Sequence, residues 1–352
     1  MKHMAVAGTG TIGLMLGSLL AKAGEDVTIV SMFRRSMAEL LNREGVVLQQ
    51  RDTAERIPVR AVYIEDIPSD EQYDILFLTG RSNDTESILS RMAAHLRPDG
   101  IVTSLQNGLN DERIAAIVGP ERTLPCVCFA GGQCPEPNYV VTHEGFFVLG
   151  ELDGKHTERL AELAAILSGA KRVEISDDII AERWKKLAEV SLTVPLATVT
   201  GYPLFSHYDE PEMQAAFAAL AAEVWDARAK AGIRPYPLLG LTGEEWKRFA
   251  RTKDASLSEK FLRASAKPRP APDSESKLPR LAPLDAYTAD IRKGRDLEIE
   301  YTNGYIIRKG ESMGVPMEKQ KKLVSMVWEI QKGSRKATPE NLKELTQDNI
   351  II

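Results

Sequence analysis

Met4-Ala5-Val6-Ala7-Gly8-Thr9-Gly10-Thr11-Ile12-Gly13, followed by Leu14-Met15-Leu16 and, further on, by Val27-Thr28-Ile29-Val30, decides the fold of this chain. A short apolar run reads as a buried parallel strand. The glycines then turn the chain into a helix, and a second apolar run stands one strand-helix unit later. A glycine pattern alone is a weak signal. With strand, helix and second strand at the right spacing it becomes a dinucleotide-binding fingerprint. The first glycine makes the turn, the second lets the backbone approach a pyrophosphate, and the third lets helix and strand pack closely. The N-terminus of the helix offers free N–H groups and the positive end of its dipole to phosphates. Gly8, Thr9, Gly10, Thr11, Ile12 and Gly13 are therefore expected to hold a nicotinamide cofactor.

The end of the second strand discriminates between the two nicotinamide cofactors. A carboxylate there would bind the ribose 2'-hydroxyl and repel a 2'-phosphate. The sequence instead reads Val30-Ser31-Met32-Phe33-Arg34-Arg35, without an acid. Ser31 can donate a hydrogen bond, and Arg34 or Arg35 can pair with a phosphate. NADP(H) is the expected cofactor.

Working outward, short apolar runs at 4–7, 27–30, 74–79 and 101–105 alternate with helical segments at about 11–24, 35–43, 85–95 and 110–118. This alternation implies a parallel sheet covered on both faces. Tyr139-Val140-Val141-Thr142 and Phe146-Phe147-Val148-Leu149 flank His143-Glu144-Gly145 and read as a hairpin, followed by a helix from Thr157 to Leu167 and an edge strand at Val173-Glu174-Ile175. After Ser176-Asp177-Asp178, a plausible helix start, helical patterns take over at about 179–200, 209–232, 243–265, 284–293, 297–313 and 317–333. The expected fold is an α/β Rossmann N-terminal domain with a parallel sheet, residues 1–177, followed by an all-α C-terminal domain, residues 178–352. A proline-rich stretch at 267–283 interrupts the second half. It reads as a mobile surface loop or as a lid.

Composition narrows the partners. The 352 residues carry a formal charge of −5 with no long basic block, which argues against nucleic acid. No apolar stretch reaches membrane-spanning length, so no membrane partner is expected. The N-terminus runs straight into the first strand without room for a secretory segment, and a cytoplasmic location is expected. Cys126, Cys128 and Cys134 lack the paired ligands of a tetrahedral site. They read as structural cysteines, and no metal is expected. The helical half could support a homodimer, although no distinct apolar stripe demands one.

Three further stretches carry a resemblance. They are Gln106-Asn107-Gly108, Trp184-Lys185-Lys186-Leu187-Ala188, and the run Asp290-Ile291-Arg292-Lys293-Gly294-Arg295-Asp296-Leu297-Glu298-Ile299-Glu300-Tyr301-Thr302-Asn303-Gly304. With the N-terminal fingerprint, the chain resembles the ketopantoate reductase family (2-dehydropantoate 2-reductases and relatives) over nearly its whole length. The resemblance implies an NADPH-dependent oxidoreductase acting on CH–OH groups, which reduces a 2-keto acid or related ketone. Lys186 matches the family lysine that assists the reduction: an ammonium stabilises the developing alkoxide and donates its proton. Glu298 matches the acidic residue that bonds the substrate hydroxyl; Gly294 should end the preceding helix and Asp296 cap the next. Asn107 matches an asparagine near nicotinamide and substrate. Thr79 and Arg81 flank Gly80 on the cofactor side, with Arg81 where the family usually has a lysine.

The chain also departs from the family. Asparagines normally follow the lysine at four and eight residues, on the same helix face, and a serine precedes the glutamate by twelve. Here the substrate-pocket positions are Val190, Val194 and Ala286. A drier pocket and a substrate less polar than ketopantoate are expected. Two alternatives remain open at this point: a 2-hydroxy acid dehydrogenase on another substrate, and an NADP(H)-binding sensor or regulatory protein without turnover. Retention of both Lys186 and Glu298 argues against the sensor.

Overall fold

The computed structural model describes residues 1–265 and 285–346. The expected proline-rich loop lies outside the described residues. The chain divides into two compact units, Met1–Glu182 and the described residues from Arg183 onward.

The first unit is built around a five-stranded sheet. β1 (Met4–Ala7) leads through α1 (Thr11–Lys22) to β2 (Val27–Ser31), and α2 (Arg35–Glu44) follows. β3 (Val46–Gln50) and β4 (Thr53–Ile57) come next, then β5 (Arg60–Tyr63) and β6 (Tyr73–Leu78). α3 (Thr85–Met92), β7 (Leu96–Ser104) and α4 (Asp111–Val118) complete the alternation. The order is β5-β2-β1-β6-β7, and every pairing is parallel. The strand order reverses between β1 and β6, where ligands of such sheets bind at the carboxyl ends.

The alternation of side chains along β1 explains why both faces are covered. Met4 and Val6 enter one core with Leu16 and Leu20 of α1, whereas Ala5 and Ala7 enter the other with Ile88 and Met92 of α3. β6 repeats the division, with Ile75 and Phe77 on the first face and Leu76 and Leu78 on the second. Each such fully buried large side chain contributes about 1.5–3 kcal/mol.

β8 (Cys126–Cys128), β9 (Gly132–Glu136), β10 (Tyr139–Thr142) and β11 (Phe146–Leu149) correct the expected hairpin. β10 pairs with β9 and β3, and β11 pairs with β8 and, in parallel, with β12 (Arg172–Ile175). The tight reversal is at Pro137-Asn138, between Glu136 and Tyr139. His143-Glu144-Gly145 marks the bend where one long hairpin passes from a four-stranded sheet into a three-stranded one. Glycine suits that bend, because a Cβ at Gly145 would lie 2.5 Å from the Phe129 carbonyl oxygen. β12 is an edge strand, as expected, and α5 (Glu158–Ser168) precedes it. Cys126 and Cys128 face the larger core while Val127 between them faces a smaller one. Among the described residues no three His, Cys, Asp or Glu side chains gather to hold a metal ion.

The second unit is helical. α6 (Ile179–Thr200) starts where the sequence predicts, with the Asp178 carboxylate accepting from the Ala181 amide at 3.0 Å. α7 (Pro211–Lys230), α8 (Gly243–Thr252) and α9 (Ala255–Ser265) follow. The single helix expected over 243–265 is two, broken at Lys253, whose φ is 51°. Asp254 starts the second by accepting from the Ser256 amide at 2.9 Å. α10 (Ala286–Arg292), α11 (Asn303–Ser312), α12 (Glu318–Gln331) and α13 (Lys343–Thr346) complete the unit. No described helix is long and apolar enough to cross a membrane.

Candidate active site

The glycines of the fingerprint have separate tasks. Gly8 has a φ of +135°, and a Cβ there would lie 2.8 Å from Thr79 Oγ1. At Gly13 a Cβ would stand 2.0 Å from the Gly8 carbonyl oxygen. Gly10 differs, since a Cβ there would meet nothing within 4 Å. Gly10 is also the N-cap of α1, and no side chain caps that end. Orphan N–H groups of a first helical turn beside open space are what a pyrophosphate needs. The residues thus fit a dinucleotide. Close packing of α1 on β2 falls to Gly17, where a Cβ would lie 2.6 Å from Ile29 Cδ1.

At the carboxyl end of β2 the three expected contacts are placed differently from one another. Ser31 is buried, and its hydroxyl donates to the Arg34 carbonyl at 2.7 Å, closing the turn. Arg34 is exposed, and its side chain has no partner among the described residues. The Arg35 guanidinium donates to the Asp66 carboxylate and lies over the Tyr63 ring, 4.8 Å from its centroid. Phe33 beside them is 64% exposed, which leaves an aromatic face at the sheet edge.

At the ends of β6 and β7 a buried network joins two loops. Thr79 Oγ1 donates to the Ala7 carbonyl at 3.0 Å and so fixes its loop to β1. The Gln106 side chain donates to the Gly80 and Arg81 carbonyls at 3.2 and 2.9 Å, and accepts from Thr85 and Ser104 at 3.1 and 2.9 Å. Ser82 Oγ donates to the Asn107 carbonyl at 2.7 Å, and Asn110 Nδ2 donates to the same carbonyl at 3.0 Å. Arg113 donates to the Ser82 carbonyl at 3.1 Å and to Asn110 Oδ1 at 2.8 Å. The backbones of Arg81 and Asn107 are thereby held together, and both side chains are half-buried. The sequence reading named Asn107 and Arg81 but missed Gln106, Ser82 and Asn110. Gln106 stands in the same Gln-Asn-Gly run and was the available signal.

In the second unit Lys186 is half-buried on α6, and Val190 and Val194 follow at one-turn intervals with 8% and 7% exposure. The same face continues to Thr198, whose hydroxyl donates to Asp285 Oδ1 at 2.7 Å. Asp285 is the N-cap of α10 and accepts from the Thr288 amide at 2.9 Å, so Ala286, the first residue of α10, is tied to the valine face.

Pro195 adds a second tie. Proline has no N–H, so the Ser191 carbonyl one turn earlier lacks its helical donor. Asn303 Nδ2, fully buried, donates to that carbonyl at 2.7 Å and to Gln320 Oε1 at 2.9 Å. Trp184 and Tyr305 meet edge-on with centroids 6.1 Å apart. α6 and α11 are thus joined on both sides of Lys186. Glu298 precedes α11 and is 6% exposed. Gly294, with φ of +61°, ends the preceding segment as expected, but Asp296 is exposed and caps nothing. Glu298 precedes a single 3-10 turn, Ile299–Tyr301, and α11 begins only at Asn303. The expected first-turn position therefore belongs to a short turn whose dipole is small, because few peptide units align in it.

Residues 4–154 match the family described as "Ketopantoate reductase PanE/ApbA", and residues 178–331 match its C-terminal part. A 2-dehydropantoate 2-reductase of Archaeoglobus fulgidus is 25% identical over 334 residues, covering 94% of this chain and 99% of the relative. Among solved structures, a PanE/ApbA family ketopantoate reductase from Ralstonia eutropha JMP134 is 23% identical with a TM-score of 0.73, covering 94% of this chain and 99% of that one. A D-mandelate dehydrogenase in a ternary structure with NADH and anilino(oxo)acetate is 19% identical with a TM-score of 0.76, covering 95% of this chain and 100% of that one. The last two share the fold.

Proposed function

The chain belongs to the ketopantoate reductase family, oxidoreductases that act on CH–OH groups, and from that premise we propose that it uses NADPH to reduce a 2-keto acid less polar than ketopantoate. The observation that carries the substrate reading is the buried apolar face of Val190 and Val194 beside Lys186, with Ala286 tied to it. Along this face an alkyl or aryl group loses no partner, and a polar substrate group finds none. A structure of this fold that holds anilino(oxo)acetate supports an aryl- or alkyl-bearing 2-oxo acid as the substrate class.

When bound, the reduced nicotinamide supplies the hydride that converts the ketone carbon to a carbinol. In our reading the Lys186 ammonium holds the carbonyl oxygen, stabilises its negative charge and gives it a proton. Glu298 accepts a hydrogen bond from the hydroxyl of the 2-hydroxy acid formed by the reduction. Gly10 and the first turn of α1 hold the pyrophosphate, Arg34 takes the 2'-phosphate, and Thr79, Arg81 and Asn107 lie on the nicotinamide side.

The test is a panel of 2-keto acids with NADPH and with NADH, followed by nicotinamide absorbance. We expect kcat/KM for a branched or aryl 2-keto acid to exceed that for ketopantoate. Equal or better turnover of ketopantoate would remove the substrate reading, and a preference for NADH would remove the cofactor reading.

A further inference from the structure

Two adjacent strands end side by side at the adenosine end of the sheet. β2 and β5 are parallel with Ser31 opposite Tyr63. Arg35, the first residue of α2, comes four residues after Ser31, and Asp66 follows Tyr63 by a single 3-10 turn. The Arg35 guanidinium bridges the Tyr63 ring face and the Asp66 carboxylate. Arg91 makes a similar bridge nearby, donating to the Met32 carbonyl at 3.0 Å and to Glu65 Oε1 at 3.4 Å. Two acids and two arginines pair off, and Arg34 is left as the cation with no partner among the described residues.

A carboxylate at this edge selects for a ribose 2'-hydroxyl and against a 2'-phosphate, by hydrogen bonding in one case and charge repulsion in the other. β2 is followed by no such acid, but the 3-10 turn after the neighbouring strand β5 supplies one, Asp66. We propose that Asp66 is a cofactor-specificity residue of this enzyme, and that Arg35 acts by masking its charge rather than by binding the phosphate. This rests on the NADP(H) reading above. The two arginines then divide the work: Arg34 attracts the 2'-phosphate directly, and Arg35 removes the repulsion. The side chains of Arg35 and Asp66 are 51% and 40% exposed, so water and salt screen the pair and the masking is partial.

The experiment measures dissociation constants of NADPH and NADH by fluorescence titration for the wild type, Arg34→Ala, Arg35→Ala, Asp66→Asn and the double variant R35A/D66N. A unit charge facing a doubly charged phosphate across roughly 8 Å of water corresponds to about a three- to sixfold change in affinity. R35A should weaken NADPH by about that factor, D66N should strengthen it by a smaller one, and R35A/D66N should return close to the wild type. NADH binding should move little in all three. R34A should weaken NADPH by about tenfold or more and leave NADH unchanged. A double variant as weak as R35A would overturn the proposal, because Arg35 would then touch the phosphate itself. Unchanged NADPH affinity in each of the single variants D66N and R35A would overturn it as well. A wild type that prefers NADH refutes the cofactor reading on its own. The comparison of R35A with R35A/D66N still decides the role of Asp66, since it needs only a measurable affinity for NADPH. Absence of NADPH binding by the wild type would refute both.

Discussion

Lys186 is the residue of α6 to which the proposed proton transfer falls, with the buried side chains of Val190 and Val194 one and two turns further on. Substituting Lys186→Ala should therefore lower kcat by about a hundredfold to ten-thousandfold while the affinity for cofactor is retained. Single-turnover rates and cofactor titration separate the two effects. The valines make the converse prediction. If the valine face lines the substrate pocket as proposed, Val194→Asn adds an amide to it and should shift the ratio of kcat/KM values toward ketopantoate by about tenfold. Competition between ketopantoate and an alkyl 2-keto acid measures that ratio. At this scale the sequence showed which residue types carry chemistry, but not how each is engaged. Ser31 looks like a hydrogen-bond donor to the cofactor in sequence, yet its hydroxyl closes a turn. Arg34 and Arg35 look equivalent, yet only one of them is paired. Such differences depend on Tyr63 at the end of β5 and Asp66 in the turn after it, which have no sequence signature near the arginines.

Elements with a strong period were readable, and those whose identity comes from their neighbours were not. β1, β2 and β6 are predominantly apolar runs because both their faces are buried. β4, with four of its five residues exposed, has no such run and escaped notice. β9 contains Gly132 and Pro135 and looks like a loop, but pairing with β10 makes it a strand. The break between α8 and α9 falls at a lysine in the left-handed region, a conformation costing roughly 1 kcal/mol that sequence does not announce. Asp254-Ala255-Ser256 was the readable signal, as an acidic cap before a helical run. The buried bridge made by Gln106 gives the prediction proper to this scale. Gln106→Leu leaves the Gly80 and Arg81 carbonyls without that donor and should destabilise the fold by about 2–3 kcal/mol. It should also raise KM for the cofactor. Urea unfolding and steady-state kinetics on the same preparation measure both effects.

For the molecule as a whole, acid sensitivity follows from a few clasped carboxylates. Burial pushes the Glu151 carboxyl up, but the Arg159 guanidinium and the Thr157 hydroxyl together outweigh it and hold it below the usual range. Hydrogen bonds from Arg335 and Lys322 hold the Glu344 carboxyl down at about 2. Groups depressed in the folded state contribute stability above their unfolded pKa and lose it as pH falls through the folded value. The melting temperature should therefore be steady down to about pH 5 and fall between about 4.5 and 2. Arg159→Met removes the clasp and leaves a carboxylate that is 5% exposed. That change should cost about 3 kcal/mol at neutral pH. It should also reverse the local pH trend: burial, the largest influence on Glu151, is then opposed only by the Thr157 hydroxyl, so the carboxyl rises and acidification relieves part of the loss. Melting curves of wild type and variant across that range show either crossing or parallel behaviour, and parallel curves would refute the assignment.

The tie between Pro195 and Asn303 has a consequence for how this chain can be altered. A ring that withholds a donor at one position makes an amide necessary at another 108 residues away (303 − 195). Replacing the proline with alanine restores a helical donor to the Ser191 carbonyl and makes the amide redundant there, while replacing the amide alone strands the carbonyl. The two positions therefore behave as a single compound character. A designer who transplants α6 into another scaffold carries over an unmet demand for a distant amide.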